Sequence, residues 1–210
     1  MINPSLEQNK THVGKERFLS LESGPMPMDF SPFFANNRPI EIDLGCGKGA
    51  FTSALALQFP NINFLGIDYA DRWLKKGILP EEKAILSNLK YLKTESRQFI
   101  AGCPDQSVAV FYLQFPDPWP KRRHRRRSVF DSSFLTELHR VLNPQGVLHL
   151  ATDDEDYFSG MRKVVAGAES GWRSFRESVN QRLVHETLKT LYEARFQSMG
   201  RSIYYLELNK

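Results

Sequence analysis

Apolar residues recur along this chain in short runs set apart by polar, helix-forming stretches. Positions 40–44 alternate Ile40, Ile42 and Leu44 with Glu41 and Asp43, the pattern of a strand entering a buried sheet. A helix over 50–59 follows, then a second strand over 63–68 that ends on Asp68, a third over 89–93 and a helix over 95–101. The most apolar strand spans 107–115, with Val108, Val110, Phe111 and Leu113. A helix over 132–142 should stop at Asn143-Pro144-Gln145-Gly146, and a strand over 147–152 and a helix over 157–169 come next. Positions 73–87 also read as helical, against Gly77 and Pro80. Two late strands, 172–179 and 202–208, have no long helix predicted between them.

Short apolar strands alternating with helices predict a parallel sheet covered on both faces, and the late strands predict an antiparallel edge. The expected class is α/β, Rossmann-like, with a mostly parallel seven-stranded sheet and helices on both faces. Residues 1–37 carry Pro4, Gly14, Gly24, Pro25, Pro27 and Pro32 with little periodicity, and read as a partly ordered arm pinned by Phe30, Phe33 and Phe34. Residues 38–210 form the expected domain. No run of about 18 apolar residues predicts a membrane span. The polar start has no apolar signal core, so the two cysteines, Cys46 and Cys103, are expected to be free thiols in the cytoplasm. The five histidines are scattered and form no metal-ligand cluster, so no metal is expected.

Charge changes the picture. The chain carries a formal +4, yet the run 121–127 (Lys121, Arg122, Arg123, His124, Arg125, Arg126, Arg127) alone holds six Lys or Arg and no acid. The rest therefore sums to −2: a mildly acidic body with one cationic loop. That loop follows Phe115-Pro116-Asp117-Pro118-Trp119-Pro120, where two prolines flank a carboxylate and a tryptophan offers a stacking face. Asp117 lies just past the fourth strand, where ligands gather in open α/β sheets, and is expected to face the same crevice as Asp43 and Asp68. The cations of the run suit phosphates.

The first strand-to-helix turn is Gly45-Cys46-Gly47-Lys48-Gly49. Its Gly-x-Gly-x-Gly spacing departs from the dinucleotide fingerprint Gly-x-Gly-x-x-Gly. Asp43, two residues before Gly45, suits a ligand with a cationic amino group, and Asp68 is placed to accept from ribose hydroxyls. S-adenosylmethionine combines ribose, adenine and such a tail. Glu95, past the third strand, suits the adenine edge, or equally a helix start favoured by the helix dipole.

Three segments together closely resemble the bacterial tRNA (guanine-N7-)-methyltransferase family (TrmB): Asp-Leu-Gly-Cys-Gly-Lys-Gly, Gly-Ile-Asp, and Phe-Pro-Asp-Pro-Trp-Pro-Lys-Arg-Arg-His-x-x-Arg-Arg. Ala151-Thr152-Asp153 resembles that family's Thr-Asp, and 190–196 its Thr-x-Tyr-Glu-x-[Lys/Arg]-Phe segment. The resemblance covers roughly residues 38 to 208. It implies a class I S-adenosylmethionine-dependent enzyme that methylates N7 of a guanine in the variable loop of tRNA, at tRNA position 46. It further implies that Asp43, Gly45, Gly47, Gly49, Asp68, Glu95 and Asp117 contact the methyl donor, and that Asp117 is the catalytic group. Lys121, Asp153, Thr190, Leu191, Tyr192 and Glu193 would hold substrate, and Arg122, Arg123, Arg125 and Arg126 the tRNA phosphates. Asp43 stands where that family carries Glu, and Glu95 where Asp is usual.

Alternative structural roles stand beside these. Asp154 or Asp156 suits an N-cap, and Thr190 with Glu193 has capping-box spacing. Other functions stay open too: methylation of an adenine amino group, since Asp117-Pro118-Trp119 partly resembles Asp/Asn-Pro-Pro-Tyr/Trp; RNA binding without catalysis; and nicotinamide-dependent redox chemistry. Monomer and homodimer are both compatible with the sequence.

Overall fold

The computed structural model describes residues 18–20, 30, 33–70, 86–118, 129–168 and 171–210. They cluster into two compact units divided between Pro104 and Asp105.

In the first unit, β1 (Phe18–Ser20), β2 (Ile40–Leu44), β3 (Asn63–Asp68) and β4 (Leu89–Lys93) run parallel in the order β1-β4-β3-β2. Helices α1 (Ala50–Gln58) and α2 (Ser96–Gly102) also lie among its described residues. β2, β3 and β4 stand where the apolar pattern predicts them. β1 was not predicted and brings the described strands to eight. Three residues carry no periodic signal, and this strand exists because the edge of β4 offers unpaired backbone groups to Phe18–Ser20. Phe30, Phe33 and Phe34 are buried as expected, with the Phe30 ring 6.4 Å from Phe99. Asn88 donates to the carbonyls of Ala56, Phe59 and Ile62 at 3.1, 3.2 and 2.9 Å, satisfying the C-terminal end of α1 and the turn beyond it. The predicted helix over 73–87 lies outside the described residues except Leu86 and Ser87, which are not helical.

In the second unit, β5 (Val108–Gln114), β6 (Leu142–Thr152), β7 (Ser174–Val179) and β8 (Tyr204–Asn209) take the order β5-β6-β8-β7. β5 and β6 are parallel, and β8 runs antiparallel to both β6 and β7, so the predicted antiparallel edge is present. Helices α3 (Ser132–Val141), α4 (Glu155–Ala166) and α5 (Leu191–Ser198) belong to this unit. Asp154 caps α4 by accepting from Tyr157 N at 2.7 Å, so the helix begins two residues before the predicted start.

One expectation needs correction. The strand expected over 147–152 begins at Leu142, so Asn143-Pro144-Gln145-Gly146, which does end α3, lies inside β6. The register steps from Val108↔Leu142 to Val110↔Val147, which leaves extra residues on β6 as a bulge. Asn143 Oδ1 accepts from Gln145 N at 3.1 Å, and a Cβ on Gly146 would lie 2.8 Å from Leu142. The turn chemistry was legible; that it would be absorbed into a strand depended on the partner.

A polar cluster lies inside this unit. The His149 ring stacks on Tyr112 at 5.5 Å, and the Tyr112 hydroxyl sits 2.9 Å from His185 Nε2. Glu207, 3.4 Å from His149 Nδ1, is already engaged by Arg176 at 2.7 Å. Burial, and then the positive charges of His185, Arg182 and Arg176, push His149 down to about 3. His185 is lowered too, by burial and Arg182. With folded values below the ordinary 6.5, the unfolded chain takes up these protons first as pH falls. The associated stability is complete above pH 6.5 and drains as pH drops towards 3. His149 alone contributes a slope of up to about 1.4 kcal/mol per pH unit. Denaturant unfolding between about pH 7 and 5 is expected to show that slope, and His149→Phe to flatten it. An unchanged slope in the variant would place the pH dependence elsewhere.

Candidate active site

The predicted site residues fall in both units. In the first, the turn between β2 and α1 places Gly45, Gly47 and Gly49 at φ of 79°, 58° and 74°, a region costly for side-chain-bearing residues. An added Cβ at Gly45 or Gly47 meets nothing within 4 Å, so the loop presents an open face. Gly49 is glycine for a different reason. Its Cβ would lie 2.4 Å from the Tyr91 hydroxyl, because Tyr91 packs beneath the loop and donates to Gly49 O at 2.8 Å. Tyr91 is a supporting residue that no sequence pattern marked.

Four of the loop's backbone donors are already spent, three of them on β3. Gly45 N and Cys46 N donate to Ile67 O at 2.8 and 2.9 Å, Gly49 N to Cys46 O at 2.9 Å, and Gly47 N to Asp68 Oδ2 at 2.8 Å. A pyrophosphate cradle needs such donors free. These four donors are not free for a pyrophosphate, and the nicotinamide alternative loses its support.

Asp68 also accepts from Ala70 N at 2.7 Å, yet it is partly exposed and each carboxylate oxygen has a second lone pair for a ribose hydroxyl. Asp43 is only 3% exposed and accepts from Thr52 Oγ1 at 2.6 Å. Its negative charge is nonetheless felt at the loop. The Cys46 thiol is pushed well above its usual value by burial first, and then by the charges of Asp43 and Asp68. The same field that disfavours a thiolate favours a cation. An open glycine face, a partly exposed carboxylate at the end of β3 and a negative local field fit the sulfonium and ammonium of S-adenosylmethionine. Glu95 is exposed and serves as N-cap of α2, accepting from Gln98 N at 2.8 Å, so the helix-start alternative holds for one of its oxygens.

In the second unit, β5 and β6 pair in parallel with Gln114 opposite Ala151, and the predicted acids follow directly beyond those strand ends. Asp117 is exposed. Before it, Phe115 adopts φ of 54° while its N–H donates to Ala151 O at 2.7 Å. That conformation is unfavourable for a bulky residue and is held by packing. The Phe115 ring lies 5.7 Å from Phe196 and 6.4 Å from Tyr192. Asp153 forms an ion pair with Arg201 at 2.6 Å, and Arg201 lies over the Phe196 ring at 5.1 Å. Thr190 and Glu193 form the capping box of α5, which leaves Leu191 and Tyr192 on the surface. The fold thus joins the Asp117 loop, Asp153 and the 190–193 segment through Phe115 and the end of β6.

Trp119, Lys121, Arg122, Arg123, Arg125 and Arg126 lie outside the described residues. Among the described residues, no group of His, Cys, Asp and Glu could hold a metal ion, and no helix is long and apolar enough to cross a membrane. Besides Tyr91, sequence reasoning missed Arg182 and Arg201, both embedded in polar stretches without periodicity.

A family model described as a putative methyltransferase matches residues 37–206. The chain is 36% identical over 193 residues to the tRNA (guanine-N(7)-)-methyltransferase of Rubrobacter xylanophilus, covering 91% of this chain and 86% of the relative. Identity to the protein of the same name in Brevibacillus brevis is 33% over 175 residues, covering 83% and 82%. Among solved structures, a 16S rRNA methyltransferase, KamB, matches with a TM-score of 0.61 at 15% identity, over 86% of this chain and 91% of that one. At such identity the likeness shows the shared fold, the α/β Rossmann-like fold of methyltransferases.

Proposed function

The chain belongs to the tRNA (guanine-N(7)-)-methyltransferase family, and on that premise we propose that it methylates N7 of a guanine in tRNA, in the variable loop at tRNA position 46. The observation that carries this reading is the β2–α1 loop. Four of its backbone donors are spent within the protein, its face is open at Gly45 and Gly47 and its field is negative, which suits a cationic methyl donor better than a phosphate.

S-adenosylmethionine, when bound, supplies a methyl group on a sulfonium. Gly45, Gly47 and Gly49 would line its site, Asp43 would supply charge for its ammonium group, Asp68 would accept from its ribose hydroxyls, and Glu95 would hold its adenine edge. Guanine N7 has an in-plane lone pair and no proton, so no protein base has to act there. The protein's tasks are alignment and compensation of the positive charge that the ring acquires. Asp117 accepts from the guanine N1–H and amino group and offsets that charge, with Asp153 sharing the task. Leu191 and Tyr192, exposed at the start of α5, meet the RNA, while Thr190 and the buried Glu193 hold that start in place. Lys121 supplies a cation for the substrate, and Arg122, Arg123, Arg125 and Arg126 neutralise phosphates.

Incubation of unmodified tRNA with labelled donor, followed by chain cleavage specific to N7-methylguanosine, tests the proposal. Cleavage at a variable-loop guanine is the expected result, and label on another base would overturn it. The basic run makes a separate prediction. Replacing Arg122, Arg123, Arg125 and Arg126 by Ala should weaken tRNA binding and make the slope of log K against log[salt] shallower by about 3. An unchanged slope would remove these residues from the phosphate contacts.

A further inference from the structure

Arg182 belongs to no motif, yet its side chain is only 4% exposed. A buried guanidinium must replace its lost hydration with partners of good geometry. Arg182 finds them on three stretches of chain. It forms a buried ion pair with Glu193 in the first turn of α5. Its Nη2 donates to Gln114 Oε1, on the last residue of β5, at 3.1 Å. Its Nε donates to Val184 O at 2.9 Å, which ties down its own loop. Glu193 in turn accepts from the Tyr205 hydroxyl at 2.6 Å and from Thr190 N at 3.3 Å.

One side chain therefore joins the strand end that leads into Asp117 to the helix start that carries 190–193. Only Phe115 and Pro116 separate Gln114 from Asp117, and Phe115 is itself held to Ala151 and Phe196. The fork geometry matters. A planar guanidinium presents several fixed donors at once, whereas a lysine is a single point charge that cannot span Glu193, Gln114 and Val184 together. We infer that Arg182 is a positioning residue for methyl transfer, holding the Asp117 loop and the 190–193 segment in mutual register. The inference rests on the reading of those two segments as the groups that hold guanine.

Arg182→Lys, Gln114→Leu and the double variant test it, with kcat and KM for tRNA, donor affinity by calorimetry and Tm measured on each. Well below every Tm, each single variant is expected to lose about 10- to 100-fold in kcat, with KM and donor affinity close to wild type. The double variant is expected to be no slower than the slower single, since both act through one contact. If Arg182→Lys does not fold, Gln114→Leu carries the same test, because it leaves the ion pair intact. Lower Tm with wild-type kcat in the folded variants would make Arg182 purely structural and overturn the inference. A wild-type chain that puts no methyl on guanine N7 would instead overturn the underlying reading, and the inference with it.

Discussion

Asp117→Ala is expected to lower methyl transfer to tRNA by roughly 10²–10³-fold while tRNA binding is retained. The size follows from the role proposed for the carboxylate. As N7 takes the methyl group, the guanine ring becomes cationic, and a fixed negative charge at its N1–H and amino edge is worth more in that state than in the neutral ground state. Loss of such an interaction appears in kcat. The side chain is exposed and contributes little to the core, so truncation should leave the fold intact. The proposed phosphate contacts lie elsewhere in the chain, so affinity for tRNA in a filter-binding assay should change little. Asp117→Asn keeps shape and one acceptor but not the charge, and should recover only a small part of the rate. Turnover near wild type in Asp117→Ala would remove the residue from the chemistry.

The second large effect is on stability. Glu193→Ala is expected to cost about 3–5 kcal/mol, because it leaves Arg182 buried without its counter-charge. For a chain of this size that corresponds to a fall in Tm of roughly 6–20 °C. The side chains of Arg182 and Glu193 are 4% and 1% exposed, so water cannot substitute for the lost partner. The loss extends beyond the pair, since Tyr205 and the backbone N–H of Thr190 also lose an acceptor. Arg182→Met combined with Glu193→Leu should be much less damaging than Glu193→Ala, because two apolar side chains need no charge compensation. Thermal unfolding followed by circular dichroism distinguishes the outcomes. A shift of less than about 2 °C for Glu193→Ala would mean that the pair does not anchor α5.

These two residues mark opposite ends of what the sequence reveals. Asp117 announces itself by its neighbours: flanking prolines, an adjacent tryptophan and the only dense cationic run in the chain. Glu193 is visible too, but as half of a capping box, and the structure bears that role out while adding a buried ion pair to it. Glu95 has the same double character, since it caps α2 whatever else it meets. Asp43 was legible as a charge near the glycine loop, but not as a buried one already bonded to Thr52.

Local pattern sufficed wherever the physics is local. The period of apolar residues sets β2, β3, β4 and β5 within a residue or so, because burial on a strand or helix is decided by side chains two to four positions apart. Turn glycines and capping acids act over the same range, and so the glycine turn and the capping residues Glu95, Asp154 and Thr190 stood among the readings the sequence offers. Long-range partners were illegible. β1 exists because β4 has an open edge some 70 residues away in sequence. The bulge in β6 exists because β5 sets its register. Arg182 is buried because Glu193 and Gln114, 11 and 68 residues away, converge on it. A polar residue carries no sign in its own neighbourhood of whether it will meet water or a partner, since that depends on which segments the folded chain brings together. The sequence by itself therefore determined the family, its methyl-transfer chemistry and the candidate groups for it, the glycine turn with its acids and the acid beside the basic run. Only the tertiary structure decided which buried groups tie those segments together, because burial depends on long-range partners.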